Sequence, residues 1–173
     1  MYGLTKRMIV YASTEVHNCA NKAVELLGLG SESLRLIEID DNYEIKLDKL
    51  QQQIDADKEA GHQPFCIMGN AVTVNTGACD NLNALAYLCK KETLWFHVDG
   101  AIGAMMILSD KFKNKIAGIE CADSIALDMQ KWMYISYRAS CVLVRNKYTI
   151  YKSFSLHVDY LHSEPLGLGR GSL

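Results

Sequence analysis

The chain has 173 residues, of which 49% are hydrophobic and 22% charged, with a formal net charge of -2. That composition suits one ordinary globular domain, long enough to bury a core without disulfide help. It offers no basic face for nucleic acid, no apolar run near the roughly 18–20 residues of a membrane span, and no signal-peptide layout in "MYGLTKRMIVYAS".

Taken in chain order, the apolar pattern changes period regularly. "RMIVYAS" (7–13) is a short β-branched strand. Residues 14–30 carry helix-spaced apolar positions, with Thr14 as the N-cap and Gly28 or Gly30 as the stop. A strand follows at 34–40, then a helix at 46–61 with Leu47, Leu50 and Ile54 on one side and Gly61 closing it. "PFCIMGN" (64–70) is the third strand, and 79–92 a helix with Leu82, Leu85, Ala86 and Cys89 on one stripe. Strands at 93–100, 123–129 and 140–146 complete the series, with a short helical or irregular piece at 101–108. Continuous apolar strands alternating with helices predict an α/β fold, a mostly parallel sheet covered on both faces. From Tyr151 the tail is polar, glycine-rich and aperiodic, and reads as a linker. The six cysteines, at 19, 66, 79, 89, 121 and 141, form no C-x-x-C pair. They read as reduced thiols of a cytoplasmic protein, with no zinc or other metal site.

Ligands of open parallel sheets bind beyond the carboxyl ends of the strands. Those ends here carry Thr73, Asp99 and Lys131, and His17 opens the helix that follows the first strand. Asp99 and Lys131 stand 32 residues apart, about one βαβ unit, so both side chains return to one edge of the sheet. Alone, each residue has an ordinary reading: Lys131 as a snorkelling strand-end lysine, His17 and Asp99 as caps, Thr73 as turn chemistry. Together, an amine, an acid, an imidazole and a hydroxyl match what pyridoxal phosphate chemistry requires. The amine forms a Schiff base, the acid keeps the pyridine nitrogen protonated, and the imidazole stacks on the ring.

Four ordered segments then carry a resemblance: "YASTEVHNCANKAVELLGLG", "AVTVNTGACDNL", "WFHVDGAIGA" and "DSIALDMQKWM". The chain resembles the group II pyridoxal-phosphate-dependent amino-acid decarboxylases, the family of aromatic-amino-acid, histidine and glutamate decarboxylases, from about residue 8 to 162. The resemblance implies that His17 stacks on the cofactor, Thr73 lies near cofactor and substrate, Asp99 meets the pyridine nitrogen and Ala101 packs by the ring. It makes Lys131 the Schiff-base lysine, with Asp128 and Gln130 beside the cofactor. It also implies a three-layer sandwich of the aspartate-aminotransferase type (PLP fold type I), an amino-acid substrate and a homodimer.

Gln130 stands where the family usually has histidine, and Gly100 where alanine is common. Family members are far longer. By resemblance, residues 1–150 are part of the large domain, and 151–173 lead into the mobile catalytic loop. The phosphate-binding segment and one edge strand should precede residue 1, so six contiguous strands are expected, with "SCVLVR" as an antiparallel edge. The parent reaction is loss of the α-carboxylate from an amino acid, with this chain alone inactive or impaired. The alternatives are a self-associating fragment or pseudoenzyme without cofactor, and a lyase or aldehyde-forming reaction on the same lysine.

Overall fold

The structure, a computed structural model, describes residues 6–155. The sheet is built outward from β1 (Met8–Ser13), whose residues from Ile9 onward are all buried. β2 (Leu34–Ile37) pairs with one edge of β1 and β3 (Gln63–Asn70) with the other. β4 (Trp95–Asp99) pairs with β3, and β5 (Ser124–Asp128) with β4; all of these pairs are parallel. β6 (Ser140–Val144) lies beside β5, giving the order β2-β1-β3-β4-β5-β6. Six contiguous strands are what the sequence predicts. The end of β5 touches the start of β6, with Ser140 Oγ on Asp128 Oδ1 at 2.5 Å and Met129 N on Ala139 O at 2.8 Å. Strands that meet end to start in this way run in opposite directions.

Side-chain alternation along the strands sends successive residues to opposite helical layers. On one face Ile9, Tyr11 and Ile67 pack with Leu50 and Ile54 of α2 (Leu47–Glu59) and Leu82 and Leu85 of α3 (Leu82–Glu92). On the other, Val10 and Cys66 meet Val24 of α1 (Cys19–Leu26). The core is deepest on the α2–α3 side, where each fully buried Leu or Ile contributes about 1.5–3 kcal/mol. Leu47, expected on the buried side of α2, is the exposed end of that stripe.

Several element ends differ from the sequence reading: β2 stops at Ile37 rather than at residue 40, and two helices start late. Thr14 is not a helix cap: its N–H donates to Ile37 O at 2.9 Å, extending the contact with β2, and α1 begins only at Cys19. Residues 79–81 also precede their helix. Asn81 caps α3, its side chain accepting from Ala84 N at 3.1 Å. Between β4 and β5 the chain makes 3-10 turns at Gly103–Leu108, Lys113–Ile116 and Ile119–Cys121, anchored by the buried Ile116 and Ile119.

A buried polar network ties α2 to the sheet. Asp57, 2% exposed, accepts from Arg35 Nη2 at 2.7 Å, Gln53 Nε2 at 3.1 Å and the buried Tyr11 hydroxyl at 3.2 Å. Burial pushes the Asp57 carboxyl up, but the Arg35 and Gln53 bonds, the Arg35 charge and the Tyr11 bond outweigh it and leave the pKa lowered.

The chain divides into two compact units, residues 1–143 and 144–173. In the second, α4 (Lys147–Phe154) is capped by Asn146 Oδ1, which accepts from Tyr148 N at 3.0 Å. The aperiodic tail expected from Tyr151 is therefore helical through Phe154. The helix has eight residues and none of them is buried; its apolar side chains Tyr148, Ile150, Tyr151 and Phe154 are exposed. Residues 156–173, most of the expected lead into a catalytic loop, lie outside the described residues. Among the described residues, no helix is long and apolar enough to cross a membrane, and no group of His, Cys, Asp or Glu is arranged to hold a metal.

Candidate active site

The strand order reverses between β1 and β3, and the crevice of an open α/β sheet lies beyond the carboxyl ends at such a switch. Its floor is built by a residue that the sequence reading passes over. Asp80, 3% exposed, accepts from Ile45 N at 2.9 Å, Asn70 N at 2.8 Å and Asn70 Nδ2 at 2.9 Å. Asn70 Nδ2 also reaches Ser13 Oγ at 3.1 Å, so the ends of β1 and β3 are bolted together. Burial raises the Asp80 pKa in spite of the N–H donors from Asn70 and Ile45 that act against it. An acid just before a helix reads as an ordinary cap, which hides this role.

Asp99 ends β4 and Lys131 follows β5 by three residues, on neighbouring parallel strands in which Asp99 is opposite Ala126. Asp99 Oδ1 accepts from Ala101 N at 3.0 Å, which holds the turn, while Oδ2 accepts no hydrogen bond among the described residues. Lys131 Nζ lies 2.8 Å from Asp128 Oδ2. Lys131 and Ser140 donate to Asp128, and His17 is near enough to add to them; together they hold its carboxyl below the ordinary range. His17 is exposed at the turn before α1, with Nδ1 accepting from Cys19 N at 3.2 Å. An accepting Nδ1 carries no proton, so a neutral ring is protonated at Nε2. The exposed Cys19 is within electrostatic reach of both Asp99 and Lys131. The start of α1, Asp99, Asp128 and Lys131 thus share one rim.

Two predicted residues are committed elsewhere. Thr73 is buried, and its hydroxyl contacts Thr76 Oγ1 at 2.6 Å and accepts from Ala78 N at 3.2 Å, inside its own turn. Gln130 Oε1 accepts from Ala139 N at 3.0 Å, closing the base of the loop that carries Lys131. His97, within the "WFHVDG" segment, bridges β4 to β5 through Ser124 Oγ at 2.7 Å, and its pKa is lowered by burial.

The glycines behind Asp99 are required by contact. A Cβ on Gly100 would lie 2.8 Å from Ala104 Cβ and 3.2 Å from Ala126 O, so alanine is crowded here. On Gly103 it would lie 2.3 Å from Ala71 O, a backbone atom that cannot swing away. Gly103→Ala is expected to cost about 1–3 kcal/mol by overpacking, and more than Gly100→Ala. Urea midpoints of the two variants check this order.

Comparison with known proteins identifies the family. The sequence profile of the pyridoxal-dependent decarboxylase conserved domain matches residues 1–169. This chain belongs to that family. It is 40% identical over 153 residues to the aromatic-L-amino-acid decarboxylase of Bacillus atrophaeus, covering 88% of this chain and 32% of that protein. It is 31% identical over 165 residues to human histidine decarboxylase, covering 95% of this chain and 24% of that protein. Crystalline mouse CSAD in its apo form superposes with a TM-score of 0.84 at 30% identity, over 91% of this chain and 34% of that one. The family member described here thus spans about a third or less of the length of these relatives. Its fold is the three-layer, mostly parallel α/β sandwich of the aspartate-aminotransferase type found in the solved decarboxylases of this family.

The residues present fit the pyridoxal group of the family name. Lys131 supplies an amine able to capture an aldehyde, and Asp99 keeps Oδ2 for a protonated ring nitrogen. His17 supplies a flat ring at the same rim.

Proposed function

We propose that this chain is the central part of the cofactor domain of a pyridoxal 5'-phosphate-dependent amino-acid decarboxylase, a cytoplasmic carboxy-lyase that works as a homodimer. The observation that carries the reading is the position of Asp99 and Lys131 on the adjacent ends of β4 and β5, with His17 at their rim. When bound, the cofactor supplies a conjugated pyridinium that accepts the electrons of the bond being broken. Lys131 holds it covalently through Nζ. The Asp99 carboxylate keeps the ring nitrogen charged, and backbone N–H of Ala101 fixes that carboxylate through Oδ1. His17 limits the tilt of the ring. Ala101 is small enough to sit by it and Asp128 lies on the lysine side of the crevice, while Gln130 and Thr73 support the site from behind, through the loop and the turn that they close. Residues 1–150 belong to the large domain, and 151–173 lead into the loop that closes over substrate.

A chain that is a third of its relatives' length supports a second reading for the isolated 173 residues: a folded, self-associating piece that holds no cofactor. The exposed apolar side chains Val142 and Leu143 of the edge strand β6, with Tyr134 and Tyr137 in the loop before it, favour it.

The test is carbon dioxide release by the full-length protein, with and without added pyridoxal 5'-phosphate, over a panel of aromatic, acidic and imidazole-bearing amino acids. Cofactor-dependent release from at least one amino acid is expected, with visible absorbance of the bound cofactor. A full-length protein that takes up no cofactor and releases nothing would remove the reading.

A further inference from the structure

We propose that Asp128 is a latch on Lys131: its carboxylate holds the Nζ ammonium at the end of β5 and limits how readily that amine meets an incoming carbonyl. The consequence for cofactor loading rests on the reading of Lys131 given above; the latch itself stands on geometry.

Lys131 N donates to Asp128 O at 3.0 Å, a tight turn that puts the two side chains on the same side. Asp128 Oδ2 then takes Nζ at 2.8 Å, while Oδ1 is fixed from the β6 side by Ser140 Oγ at 2.5 Å. Ala139 closes the loop from both of its backbone groups. Its O accepts from Met129 N at 2.8 Å, and its N donates to Gln130 Oε1 at 3.0 Å. All the parts lie between residues 128 and 140. When the lysine swings away, Ser140 still holds Asp128 by Oδ1 and keeps it in place.

An ammonium has no lone pair with which to attack a carbonyl. For capture, the 2.8 Å contact must open and Nζ must lose a proton to water. Asp128 is a poor acceptor of that proton, because Lys131 and Ser140 hold its carboxyl low. The N–C bond then forms, the carbonyl oxygen leaves as water, and Asp128 is left with Ser140 alone. Asp128 is thus a positioning residue that favours the unreacted lysine. The Lys131 and Asp128 side chains are 41% and 25% exposed, so the pair is partly screened by water and the expected effect is several-fold rather than a thousandfold.

The test needs no cofactor. The protein is treated briefly with formaldehyde and cyanoborohydride, and methylation at each lysine is followed by peptide mass spectrometry, with the exposed Lys49 and Lys90 as internal references. Asp128→Asn is expected to speed methylation of Lys131 about two- to fivefold relative to those references. In the unaltered protein, raising salt from about 0.05 to 1 M should speed Lys131 relative to the references, and this response should vanish in the variant. The salt arm stands even if the variant folds poorly. A Lys131 rate that is unchanged or slower in Asp128→Asn, or indifferent to salt in the unaltered protein, overturns the latch. Neither arm uses pyridoxal phosphate, so failure here leaves the decarboxylase reading untouched, and failure of that reading leaves the latch measurable.

Discussion

Lys131→Arg in the full-length protein is expected to abolish decarboxylation, by a factor on the order of 10³ or more, while the fold is retained. Arginine keeps a cation within reach of Asp128, so the ion pair at the base of the loop survives. Its guanidinium does not deprotonate in proteins and cannot capture a carbonyl. The substitution therefore separates the lysine's structural contact from its chemistry, which alanine would not do. Circular dichroism and the urea midpoint should match the unaltered protein, while visible cofactor absorbance and carbon dioxide release are lost. Retained turnover would place the reactive amine elsewhere.

The largest expected effect on stability is Asp57→Ala, at about 3–5 kcal/mol, the usual cost of removing one partner from a buried ion pair. The change strips the Arg35 guanidinium and the buried Tyr11 hydroxyl of their shared acceptor. Against a total stability of about 5–15 kcal/mol, that is a large share. The loss should depend on pH. Asp57 has a lowered pKa in the folded state, so its contribution is fully present above the ordinary aspartate value of about 4 and is lost as pH falls through the lowered one. Urea midpoints of the two proteins should therefore differ most near pH 7 and converge in acid. A difference that is constant from pH 7 down to pH 3 would show that packing, rather than the carboxylate charge, carries the effect.

Most of the fold could be read from sequence because the buried strands are continuous apolar runs and α2 and α3 carry clear stripes. The start of α1 could not, because the Thr14 N–H is taken by β2, a contact across 23 residues that no local pattern announces. The β4–β5 crossover was equally opaque, since its 3-10 turns have no helical period. At the site, the spacing of Asp99 and Lys131 was informative because parallel crossovers return the chain to the same edge. What sequence could not supply was how the polar atoms are spent. The Thr73 hydroxyl is used within its turn, Gln130 closes a loop, Asp80 fixes the Asn70 amide that ties β3 to β1, and Asp128 holds both a lysine and a serine. Each of these depends on which donor lies opposite, and that is a property of the folded chain.

The central claim is that Lys131, just beyond the strand end next to that of Asp99, is the amine that holds the cofactor. Its most direct test is borohydride reduction of the full-length protein after incubation with pyridoxal 5'-phosphate, followed by peptide mass mapping. The account predicts that the label falls on Lys131 and that Asp99→Asn weakens the visible absorbance without moving the label. Label found instead on Lys90, Lys91 or Lys152 would contradict it.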